Sequence, residues 1–140
     1  MQYLAKFMSH TLAVAVLAAS ATLAGCASTP TPSVALLEPA DGATVGTTFK
    51  VRFGVIGMAV APAGDVVVGS GHHHLLIDRD AVPEGQSVPF DAQHMHFGKG
   101  QTEAEVKLAP GKYRLTAQFA NGAHLSYGKA LSQTITVTVK

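Results

Sequence analysis

The strongest constraint on the fold is a two-residue rhythm. In Phe49-Lys50-Val51-Arg52-Phe53-Gly54-Val55 every second residue is apolar. Successive side chains of a strand point to opposite faces, so Phe49, Val51, Phe53 and Val55 share one half-buried face. The rhythm returns in Thr102–Leu108, with Thr102, Ala104, Val106 and Leu108 inward. It returns again in Tyr113, Leu115, Ala117 and Phe119, and in Ile135, Val137 and Val139. Val34–Leu37, His72–Asp78 and His94–Phe97 read as further short strands. Turn residues separate these runs: Glu38-Pro39-Ala40-Asp41-Gly42, Gly98-Lys99-Gly100, Ala109-Pro110-Gly111-Lys112 and Asn121-Gly122. Pro then Gly in Ala109–Lys112 predicts a type II turn, and Asn-Gly predicts a hairpin. Residues 57–71 hold four Gly and one Pro and read as a long loop, with Val66–Val68 a brief strand. No run after the leader has a helical period. About seven short strands divided by turns make an all-β protein, a β-sandwich.

Pro110-Gly111-Lys112-Tyr113-Arg114-Leu115 resembles the turn and strand of an immunoglobulin-like domain that carries a tyrosine corner. The resemblance implies that the Tyr113 hydroxyl bonds back to nearby backbone. The expected fold is therefore an immunoglobulin-like β-sandwich after an N-terminal signal peptide. A closed barrel and a jelly roll are its rivals.

The leader spans residues 1–25. Lys6 is its basic start, and Thr11–Leu23 is an almost unbroken apolar run. That run is too short for a membrane span, which needs about 20 apolar residues, and suits a secretory signal. It ends in Leu23-Ala24-Gly25-Cys26, which resembles a bacterial lipobox. The resemblance implies that Cys26 carries a lipid and tethers the chain to a membrane. Cys26 is the one Cys among 140 residues, so no disulfide competes for it. Ala27 and Ser28 follow, and the absence of Asp there points to the outer membrane, facing the periplasm. Ser, Thr and Pro then make residues 26–33 a tether, and residues 34–140 the domain.

Lys6 is one of ten Lys and Arg residues, and all nine Asp and Glu lie beyond the leader. The exported part is thus near neutral. That excludes nucleic acid as a partner, because it demands a basic face. No protein partner is legible. A domain of this size buries a core without metal, so a metal site must be argued from function.

Histidine carries that argument. Gly71-His72-His73-His74-Leu75-Leu76-Ile77-Asp78 holds three of the seven histidines, and His94-Met95-His96-Phe97 holds two more. Leu75 and Ile77 mark the core face of the first segment, which leaves His72 and His74 on the other side and His73 at the core margin. Met95 and Phe97 look inward, which leaves His94 and His96 outward. Two His-x-His pairs on neighbouring strands would stand about 4.5–5.5 Å apart. His72, His74, His94 and His96 are therefore the expected metal ligands, with copper or zinc the expected ion. His73, His124, Asp78 and Met95 are further candidates. Neutral imidazole binds metal, so affinity should weaken below about pH 6. A hydrogen-bonded network with Asp78, Asp80, Asp91 and Glu103 is the structural alternative. A pocket for an organic ligand is another.

Evidence for an enzyme is thin, and no catalytic residue is assigned. His72-x-His74 followed by Asp78 and Gly85 resembles the first cupin motif. Asp replaces the usual Glu, and no Pro-x-Gly leads into a later His. No nucleophile elbow, phosphate loop or catalytic Cys stands in the domain.

Several segments together resemble a bacterial family known as domain of unknown function 4399. They are Glu38–Gly42, Gly57–Gly64, Gly71–Asp78, His94–Glu103, Pro110-Gly111 and the last strand. The resemblance covers nearly all of the chain from about residue 34. It implies an exported β-rich domain and supplies no reaction. Members tend to carry a second His shortly after the position of His124. Here the stretch is His124-Leu125-Ser126-Tyr127-Gly128, so Tyr127 stands in that place. Three classes stay open: a lipid-anchored metal-binding module, a structural or interaction domain of the envelope, and a cupin-like metal enzyme.

Overall fold

The computed structural model describes residues 28–140. The leader and Cys26 lie outside the described residues. Nine strands follow in order: β1 (Ser33–Glu38), β2 (Thr44–Val45), β3 (Thr48–Ile56), β4 (Ala59–Val60), β5 (Ser70–Ile77), β6 (His94–His96), β7 (Glu103–Lys107), β8 (Gly111–Ala120) and β9 (Ser132–Val139). A single 3-10 turn, Lys129–Leu131, is the one helical element among the described residues.

The strands form two layers. One sheet runs β1-β3-β7 and the other β2-β9-β8-β5-β4, with β6 also beside β5. The alternating runs supply the core between them. Val51, Phe53 and Val106 come from the smaller sheet, and Leu75, Leu115, Phe119 and Val137 from the larger. The start of the chain is shared between layers: β1 pairs antiparallel with β3, and β2 pairs parallel with β9. The Tyr113 hydroxyl donates to the Ala109 carbonyl at 3.0 Å, which is the expected corner. The fold is an all-β, immunoglobulin-like sandwich.

Three local readings change. Gly111 is already the first residue of β8 and does not take the positive φ that a type II turn requires. Val66–Val68 form no strand; the brief strand is Ala59–Val60, paired with Ser70 and Gly71. Asn121-Gly122 does turn the chain, but only back to a bridge between Ala120 and Ser126. β9 starts later, at Ser132.

That detour has a structural purpose. Residues 82–88 and 124–126 pair across the outer face of the larger sheet. Gly85 donates to the Ser126 carbonyl at 2.9 Å, Ser126 to that of Gln86 at 2.9 Å, and Val88 to that of His124 at 2.9 Å. Leu76, Val82, Val88 and Ala120 close a second apolar cluster beneath them. Gln118, wholly buried, holds this layer down. Its Oε1 accepts from the Val82 amide at 3.0 Å, and its Nε2 donates to the Gly128 carbonyl at 3.1 Å. Both faces of β5 are therefore covered, and every residue from Ser70 to Ile77 is buried.

Candidate metal centre

The covered outer face of β5 holds the centre. Alternation puts His72, His74 and Leu76 on that face. Across on β8 they meet Ala120, Gln118 and Thr116. Ala120 is small, which leaves space above it for rings. On the other edge β6 pairs His96 with His74, Met95 with Leu75 and His94 with Leu76.

This register decides which histidines meet. The two His-x-His pairs are not aligned pair to pair. His96 faces His74, so His94 falls one step beyond, against Leu76, and β6 ends before it reaches His72. A Cβ on Gly98 would collide with the His96 ring, so this glycine gives the imidazole its room. His124 completes the group from the Asn121 turn. It takes the left-handed backbone conformation at φ 63°, which His adopts more readily than most residues. Its amide donates to the Asn121 carbonyl at 2.9 Å. The Asn121 side chain accepts from the amides of Ala123 at 2.9 Å and Leu125 at 3.0 Å, which fixes the turn.

His72, His74, His96 and His124 thus offer four ring nitrogens within 4.8 Å of one another. Nε2 of His96 lies 3.0 Å from Nε2 of His72 and 2.8 Å from Nε2 of His124. An imidazole nitrogen has one in-plane site, holding either a proton or a lone pair. His96 can therefore satisfy one of these neighbours and not both. Nδ1 of His72 and both ring nitrogens of His74 are buried without a partner. Among the described residues no carboxylate joins the cluster. Phe90 covers it from outside, with its ring 5.0 Å from that of His96 and 5.1 Å from that of His124, while the residue stays 68% exposed.

Burial and mutual repulsion favour the neutral form of His72, His74 and His96. Burial, then repulsion from His96, His124 and His73, lowers the pKa of His72 to about 4. Burial, then repulsion chiefly from His72 and His96, lowers His74 to about 3. His96 is also lowered, by burial and then by His124. Protons compete with a metal only below such values. The expected weakening below about pH 6 therefore moves to lower pH for His72 and His74.

The other named residues stand elsewhere. His94 turns from the cluster to Asp91, with Nδ1 2.7 Å from Oδ1, and the bond lowers the Asp91 carboxyl. His73 is not at a margin. It is wholly buried in the core, stacked on Phe53 at 4.8 Å and edge-on to Phe119 at 4.9 Å. Neither of its ring nitrogens has a partner. Asp78 ends β5 with its Oδ1 accepting from the Arg114 amide at 2.8 Å, outside the cluster. Met95 packs against the core beside Leu75. Tyr127 donates to the Ser70 carbonyl at 2.7 Å and stacks on Phe119, so its side chain lies on the core side. Gly98 and Asn121 were legible as turn residues only, not as supports of the cluster, and Phe90 was not singled out. Asn121-Gly122 three residues before His124 was the available signal for the second of these. Phe90 had none.

Fold and cluster together define a class: an immunoglobulin-like β-sandwich with four imidazoles gathered on the covered face of its larger sheet. The chain belongs to the family described as Domain of unknown function (DUF4399), whose model matches residues 51–140. All four histidines fall inside the match. Comparison with curated proteins and with solved structures returned no match.

Proposed function

We propose that this protein is a lipid-anchored envelope module that holds one transition-metal ion, copper or zinc, through His72, His74, His96 and His124. One observation carries the reading: four ring nitrogens converge where neither carboxylate nor backbone satisfies them. A buried polar group without a partner costs about 1–3 kcal/mol. An ion would take up one such nitrogen of His74 and relieve the competition of His72 and His124 for His96 Nε2. Ligand nitrogens at about 2.0–2.1 Å from an ion stand roughly 3–4 Å apart, comparable with ring nitrogens that lie within 4.8 Å of one another here. Four protein ligands close a four-coordinate site, whereas catalytic zinc keeps one position open. That favours storage, delivery or sensing over catalysis. The envelope assignment rests on Lys6, the apolar run and Leu23-Ala24-Gly25-Cys26.

Calorimetric titration of residues 28–140, made without a histidine tag, tests the metal reading. Cu(II) and Zn(II) would be compared on the parent and on a His72→Ala/His74→Ala/His96→Ala/His124→Ala variant. One-to-one binding tighter than micromolar, lost in the folded variant, is expected. No binding by the parent, with thermal stability falling in the variant, would make the histidines architecture.

A further inference from the structure

We infer that the sandwich end bearing Val66, Val67 and Val68 lies against a lipid bilayer. The inference rests on the lipid-anchor reading of Cys26. It starts from where the chain leaves the fold. Ser33 opens β1 opposite Ile56, the last residue of β3. The preceding tether stays at this end: a Cβ on Gly57 would stand 3.1 Å from the Pro30 carbonyl oxygen and 3.1 Å from Cα of Pro32. Cys26 precedes Pro30 by four residues, a reach of at most about 14 Å. A lipid on Cys26 holds this end at the membrane surface and turns the Ala109–Gly111 end away.

What the end presents is apolar. Ile56 is 56% exposed, Val66 59%, Val67 56% and Val68 97%. Three consecutive exposed valines are unusual on a surface bathed only by water. Their loop is also firmly shaped. Ala59 donates to the Gly69 carbonyl at 2.8 Å, Ala63 to that of Gly98 at 2.8 Å and Gly64 to that of Gly122 at 2.9 Å. The Ser70 amide and hydroxyl both donate to the Val67 carbonyl, at 3.1 and 2.9 Å. Val68 therefore sits at the corner of a closed turn, and Gly69 supplies the positive φ of 75° next to it. A fixed apolar corner beside a lipid tether suits the interfacial layer of a bilayer. Asp65 is the one charged residue in Ala61–Gly69, so attraction to anionic headgroups is not the driving force. The same loop is bonded to Gly98 and Gly122, which flank His96 and His124, so the metal centre stands near the membrane side.

The test uses the full chain, produced in a bacterial host that processes lipoproteins. An acylated Cys26 leaves no free thiol, so Val67→Cys and Val68→Cys each take a single polarity-sensitive label. Lys112→Cys, on β8 at the far end, is the control. Each would be reconstituted in zwitterionic vesicles with and without brominated acyl chains and floated on a density gradient. Flotation with quenching at 67 and 68, none at 112, and no response to salt is expected. Flotation with all three labels unquenched would keep the anchor and overturn the docking face, leaving the valines for a protein partner. Failure to float would overturn the anchor and the inference with it.

Discussion

Acid should unfold the metal-free protein, and His73 shows how steeply. Its ring lies between Phe53 and Phe119 with no partner for either nitrogen. Burial lowers its pKa from 6.5 to about 4. The fold keeps the ring neutral where the unfolded chain protonates it. Between those values the unfolded state binds more protons, so stability is complete above pH 6.5 and is lost progressively as pH falls to 4. One such group removes about 1.4 kcal/mol per pH unit, and about 3 kcal/mol across the window. His74, lowered to about 3, acts in the same direction. With His72, also lowered to about 4, three groups steepen the fall to about 4 kcal/mol per unit below pH 6. That is a large share of the roughly 5–15 kcal/mol of an ordinary domain. The assay is urea unfolding of the chelator-treated protein, followed by circular dichroism in half-unit steps from pH 7.5 to 4.5. His73→Phe keeps a flat ring between Phe53 and Phe119. Whatever it does to packing, it should take about 1.4 kcal/mol per unit off the slope. A parent whose stability is flat from pH 7 to 5 would refute the account of rings buried in neutral form.

Five other changes have defined outcomes. His94→Ala should lower the melting temperature by freeing Asp91 and leave metal affinity unchanged, whereas His96→Ala should abolish tight binding; calorimetry separates them. Gly98→Ala should weaken metal binding by displacing the His96 ring while urea unfolding stays nearly parental. Gln118→Leu should cost about 3 kcal/mol in urea, because several buried backbone groups of the covering layer lose their partner. Tyr113→Phe should cost about 1 kcal/mol through the lost bond to Ala109, with no effect on metal.

Much of the fold was legible because period-two alternation is a local property. Phe49–Val55 and Tyr113–Phe119 announced their strands and faces, and the Pro110–Leu115 segment announced the corner. The site was only half legible. Strand faces placed His72, His74 and His96 correctly, but which histidine opposes which depends on register. Register is set by packing across β5, β6 and β8, which no single segment encodes. A register two residues along β6 set His94 against Leu76 in place of a cluster histidine. His124 came from a turn whose direction depends on the Asn121 side chain and on pairing with Val88. The burial of both faces of β5 was equally hidden, since the covering segments 82–88 and 124–126 have neither alternation nor helical period. Gln118 and Phe90 take their roles from that layer.

Whether His72, His74, His96 and His124 share one ion is open to direct observation. Anomalous X-ray scattering from crystals of the metal-loaded protein, collected at the copper and zinc edges, addresses it most directly. A single strong peak is expected about 2.0–2.1 Å from one ring nitrogen each of His72, His74, His96 and His124. A peak at His94 and Asp91 instead, or none inside the cluster, would contradict a shared site.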